Sequence, residues 1–63
     1  MQDNLRQKAK LVKAMYNDIY KYKDIAEMLG INTNSFYNWL NGAYDFGEQK
    51  AKELEIWLND ILF

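Results

Sequence analysis

The sequence predicts an all-α fold, a small helix-turn-helix domain of four helices within 63 residues. Three observations predict it. Apolar residues recur at spacings of three and four along each of the longer segments. No segment alternates apolar and polar residues with period two, and no turn dipeptide joins two apolar runs as in a hairpin. Proline is absent, and the three glycines, Gly30, Gly42 and Gly47, punctuate the second half of the chain. With no repeat, low-complexity stretch or linker, residues 1–63 read as one domain. Its motif spans about 22–41 and its last helix about 46–62.

The first helix is expected from about Asp3 to Ile19. Leu5, Ala9, Val12, Tyr16 and Ile19 form one stripe of an amphipathic helix. Leu11 and Met15 broaden that face. Arg6, Lys8, Lys10 and Lys13 lie mostly off it and read as a solvated face, with phosphate contact as the alternative. The second helix, Tyr22 to Leu29, is short, with Ile25, Met28 and Leu29 as its apolar side. Asp24 sits in its first turn, where a carboxylate suits the helix dipole. Gly30 follows at the expected left-handed stop.

The third helix follows at once. Asn32 can cap it by accepting from backbone N–H groups two or three residues on. Phe36, Trp39 and Leu40 give it a buried edge, and Asn41-Gly42 ends it with turn chemistry. In the fourth helix, Ala51, Leu54, Leu58 and Ile61 repeat at three and four. Asp45 with Glu48 reads as a variant capping box at its start. Trp57, Leu62 and Phe63 fall beside the stripe. Together with Ile61 they either close a small core or form a homodimer surface.

Composition excludes several function classes. A chain this short buries only ~60% of the surface it exposes when unfolded. It has no cysteine and no histidine. Disulfides are therefore ruled out, and the usual zinc sites lose both ligand types. An enzyme would need its base or nucleophile from Asp, Glu, Lys, Tyr or Ser, and a pocket of ~300 Å³ or more. No catalytic residue, metal, cofactor or small-molecule substrate is expected. No apolar run approaches the ~20 residues of a membrane span. Nothing in Met1–Asn4 reads as a secretory leader, so a cytoplasmic address is the default.

Net charge is −1 and the pI about 5.2, which argues against nucleic acid on bulk charge alone. The charge is unevenly placed. Residues 1–44 carry six basic and four acidic side chains, a surplus of +2, and residues 45–63 two basic and five acidic, a deficit of −3. A molecule polarised in this way can turn its positive side to DNA.

The most constrained stretch is Y-K-D-I-A-E-M-L-G-I-N-T-N-S-F-Y-N-W-L-N-G, residues 22–42. A short helix, a glycine turn and a second short helix form a helix-turn-helix. Ala26 is small where the second helix crosses, Gly30 takes the turn, and Ile25, Leu29, Ile31, Phe36 and Trp39 point inward. This run resembles the helix-turn-helix of phage Cro-type and lambda-repressor-like regulators. It is also similar to the autoregulatory N-terminal domain of some anti-CRISPR proteins, although no second, inhibitory domain is expected here. One position departs from the pattern. Lys21 stands where a Ser or Thr cap is usual, leaving Asp24 to reach back to the backbone there.

The resemblance implies double-stranded DNA as partner, with the second motif helix in the major groove. The base-reading candidates are then Thr33, Asn34, Tyr37, Asn38 and Asn41. Asn32 competes as a cap and Asn41 as a turn residue. Asparagine matches the N7 and N6 edge of adenine, and no arginine is present to grip guanine, so an A·T-biased operator is expected. Phosphate candidates are Lys21, Tyr22, Lys23, Ser35 and Tyr44, against ordinary surface charge for the lysines and packing for Tyr44. The expected function is a phage or mobile-element repressor acting on its own promoter. A protein-interaction module on the same scaffold is the alternative.

Overall fold

The computed structural model describes residues 2–63 as four helices, with no strand among them. The helices are α1 (Asp3–Met15), α2 (Tyr22–Leu29), α3 (Thr33–Leu40) and α4 (Glu48–Leu62). The first packs against α4, while α2 packs against α3 and α4. Their shared core is Leu5, Ala9 and Val12 of α1, Ile25, Ala26 and Leu29 of α2, Phe36, Trp39 and Leu40 of α3, and Leu54 and Leu58 of α4. Within each set the residues recur at three or four, with Ile25–Ala26 and Trp39–Leu40 as neighbours on the same broad buried face.

α1 is shorter than its apolar stripe suggests. It ends at Met15, and Tyr16–Ile19 form a turn in which the Tyr20 and Ile19 N–H groups both donate to the Tyr16 carbonyl, at 2.8 and 2.9 Å. Ile19 therefore points out of the core at 65% exposure. Leu11 and Met15 are exposed rather than part of a broadened face, and so is Met28 on α2. Asn17-Asp18 supplies the turn chemistry that ends the helix.

The two motif helices end in the same way. After α2, the Ile31 N–H donates to the Ala26 carbonyl and the Gly30 N–H to that of Glu27, both at 3.0 Å, with Gly30 at φ +74°. After α3, the Ala43 N–H donates to Asn38 and the Gly42 N–H to Trp39, both at 3.0 Å, with Gly42 at φ +85°. Each is a Schellman closure, which needs a left-handed residue that glycine adopts without a Cβ penalty. At the start of α3 the Asn32 side-chain oxygen accepts from the Ser35 N–H at 2.7 Å, the expected cap.

Two other expected caps do not form. α2 begins at Lys21 with no side-chain cap, so Asp24 does not reach back. α4 begins at Gly47, also without one, and Asp45 is not part of a capping box. Its carboxylate is taken by Arg6 at 2.9 Å. The Lys50 ammonium of α4 donates to the Leu29 carbonyl at 2.8 Å, placing a cation at the C-terminal end of α2, whose last turn has none of its own.

The largest correction concerns Arg6, which is buried rather than solvated. Its Nε donates to the Trp39 carbonyl, and one terminal nitrogen to the Tyr44 carbonyl at 2.7 Å as well as to Asp45. The other terminal nitrogen meets Asp3 at 3.1 Å, and the guanidinium lies 5.1 Å from the centre of the Trp39 ring. Gln2 works beside it. Its side-chain oxygen accepts from the Trp39 indole at 2.6 Å and the Phe46 N–H at 2.9 Å, while its amide donates to the Phe46 carbonyl at 2.8 Å. Phe46 itself is buried and stacks on Trp39 with ring centres 4.5 Å apart. The start of α1 thus holds the α3–α4 connection against the end of α3.

Candidate nucleic-acid interface

α3 presents two faces. Phe36, Trp39 and Leu40 enter the core. On the other side Asn34, Tyr37, Asn38 and Asn41 are exposed, and they follow one another at i, i+3, i+4 and i+7 on a single face. Thr33 is half-buried at the helix start. Asn34, Asn38 and Asn41 make no side-chain hydrogen bond within the described residues, so their amides are open to a partner. Asn32 differs, since its oxygen is spent on the cap.

The phosphate candidates differ in how free their side chains are. Lys21 and Lys23 are exposed at the start of α2. Ser35 is half-buried, with its N–H given to Asn32 and its carbonyl receiving the Tyr44 hydroxyl at 2.9 Å. Tyr44 also packs edge-on against Phe46, 5.8 Å between centres. Tyr22 is half-buried, with its ring 5.7 Å from Phe36 and 5.6 Å from Tyr37. Burial pushes its phenol above the ordinary 10.0, and the neighbouring Tyr37 phenol adds to the rise.

The motif core residues Ile25, Ala26, Leu29, Phe36 and Trp39 are buried, and Ile31 is half-buried beside them. Of the dimer candidates, Trp57 packs edge-on against Tyr20 at 5.3 Å, itself edge-on to Tyr16 at 5.6 Å. Ile61 and Leu62 are half-buried against the core, while Phe63 is 94% exposed.

The four basic residues of α1, read from the sequence as one group, separate in space. Arg6 is in the core, and Lys8 turns to Asn59 of α4 at 3.0 Å. Lys13 turns to the motif, where its ammonium lies 5.8 Å from the centre of the Tyr22 ring and also donates to Asn17. Lys10 lines a hollow with Asn41 and Gly42 at the end of α3. Lys10 therefore lies beside the end of α3 and Lys13 beside the start of α2. Their spacing of three, one side of a helix, was the available signal.

This is a trihelical helix-turn-helix followed by a fourth helix, with an uncharged polar exposed face on α3. The model of the homeodomain-like domain matches residues 3–45, about two thirds of the chain, covering α1 to α3 and the segment after them. The chain belongs to this helix-turn-helix family of DNA-binding domains. No curated protein and no solved structure matches it. Among the described residues no helix is long and apolar enough to cross a membrane.

Proposed function

We propose that the chain is a sequence-specific DNA-binding transcription regulator that inserts α3 into the major groove. One observation carries this reading. Asn34, Tyr37, Asn38 and Asn41 form a contiguous exposed face of a motif helix, and the three asparagine amides have no hydrogen-bond partner among the described residues. Uncharged amides and phenols discriminate base edges without adding bulk attraction. Thr33, Asn34, Tyr37, Asn38 and Asn41 read the bases, and adenine-rich contacts suit the amides. Lys21, Tyr22, Lys23, Ser35 and Tyr44 serve the phosphates, with Lys10 and Lys13 beside them.

The repressor role, and the setting of a phage or mobile element regulating its own promoter, rest on the resemblance of residues 22–42 to Cro-type regulators. A homodimer fits the same reading, because one module of this size binds weakly and two would read half-sites a helical turn apart. Its surface is assigned to Trp57, Ile61, Leu62 and Phe63. A monomer mass unchanged up to high micromolar concentration would remove the dimer.

The test is a gel shift on the DNA upstream of the gene, repeated across a salt titration. DNA binding predicts a shift whose log affinity falls linearly with log salt, with a slope set by the few lysines at the interface. No shift at low salt would overturn the reading and favour a protein partner for the same face.

A further inference from the structure

Tyr37 is the base-facing residue whose side chain the fold holds in a set direction. Half exposed on an eight-residue helix, an unsupported tyrosine would sample several rotamers. Here the edge of one ring meets the face of the other, with Tyr22 and Tyr37 centred 5.6 Å apart at 85°. That geometry is favourable for aromatic pairs.

Tyr22 is itself anchored. Its ring lies tilted at 44° on Phe36, which is fully buried, and the Lys13 ammonium sits 5.8 Å from its centre. A chain of packing therefore runs from the core through Tyr22 to the exposed Tyr37. Asn34, Asn38 and Asn41 have no such support within the described residues.

We propose that Tyr22 is a positioning residue: its ring fixes the direction from which Tyr37 meets a base, so α2 sets base preference at one position through α3. This rests on the DNA-binding reading above. It is separable from phosphate contact, which uses the Tyr22 hydroxyl rather than its ring. An edge-to-face pair of this kind supports a roughly three- to tenfold preference.

The experiment is selection of binding sites from random duplex DNA by the full chain, followed by affinity measurement on every single-base variant of the selected site. Tyr37→Ala identifies the base position that Tyr37 reads. Tyr22→Leu is expected to relax or change preference at that same position by roughly three- to tenfold, leaving the other positions alone. Tyr22→Phe keeps the ring and is expected to keep the base pattern, with at most a uniform loss of affinity. Tyr22→Trp keeps the packing on Phe36 with a larger ring and is expected to alter the same position, so the test stands even if Tyr22→Leu unfolds.

An unchanged base pattern in the folded Leu and Trp variants would overturn the proposal, as would a Phe variant that changes the pattern as much as they do. If the unsubstituted chain enriches no sequence at all, the DNA-binding reading itself falls. The two failures are therefore distinguishable.

Discussion

Replacing Arg6 by methionine tests how the domain holds its third helix. Methionine keeps the unbranched apolar stem and removes the guanidinium. The Tyr44 carbonyl then loses its donor, and the Trp39 carbonyl keeps only the Gly42 N–H. Hydrogen bonds to a charged group contribute about 1.5–3 kcal/mol each. The Trp39 bond belongs at the low end of that range, because its acceptor stays partly satisfied.

The ion pairs add less. Asp3 and Asp45 are 79% and 49% exposed in their side chains, so neither is left as a buried charge. Loss of the cation over Trp39 contributes a further fraction of a kcal/mol. The expected destabilisation is about 3 kcal/mol. A chain of this size has roughly 3–9 kcal/mol in total, so the loss is severe. In a thermal melt it corresponds to a fall of roughly 20–24 °C. Urea unfolding followed by circular dichroism and by tryptophan fluorescence measures it. Asp3→Ala, which removes only an exposed partner, should change stability by less than about 0.5 kcal/mol. A loss below about 1 kcal/mol for Arg6→Met would refute the clamp.

Two further predictions follow from the turn and the tyrosine pair. Gly30→Ala meets no atom within 4 Å of the added Cβ, yet sits at φ +74°, so backbone strain alone should cost about 1–2 kcal/mol in urea unfolding. The Tyr22 phenol is held above 10.0 in the folded state, so the unfolded chain gives up this proton first. Its contribution to stability is complete below that pH and declines as pH rises through the folded value. Urea midpoints taken from about pH 8 to 11.5 should therefore fall more steeply for the unsubstituted chain than for Tyr22→Phe; equal slopes would contradict the assignment.

Several local features of the fold were legible in the sequence, although the caps expected for α2 and α4 do not form. Asn32 caps α3 as its side chain and position require, and Gly30 stops α2 in the left-handed conformation. Ile25, Leu29, Phe36 and Trp39 are buried at their periodic positions. What escaped were contacts between residues far apart in the chain. Gln2 and Phe46 are 44 positions apart, and Arg6 and Tyr44 are 38. No spacing rule connects such residues, and an arginine off an apolar stripe reads as solvated unless its distant carbonyl partners are known.

Phe46 belongs to no helix and so has no period to betray its burial. The early end of α1 escaped for another reason. Tyr16 and Ile19 continue the three-and-four pattern into a turn that Asn17-Asp18 introduces without glycine or proline. At the interface, the exposed face of α3 was legible from its own periodicity. The spacing of Lys10 and Lys13 put them on one side of α1, but which side meets the motif was not legible, because it depends on how α1 lies against the other helices.

The central claim is that the exposed amides of α3 select DNA sequence. The most direct measurement is the affinity of the Asn34→Ala, Asn38→Ala double variant for a selected site and for random duplex DNA, with helicity followed alongside. The predicted result is full helicity, unchanged affinity for random DNA, and loss of the preference for the selected site by roughly 30-fold or more, at about 1–3 kcal/mol per amide contact. A double variant that still prefers the selected site as strongly as the unsubstituted chain would contradict the account.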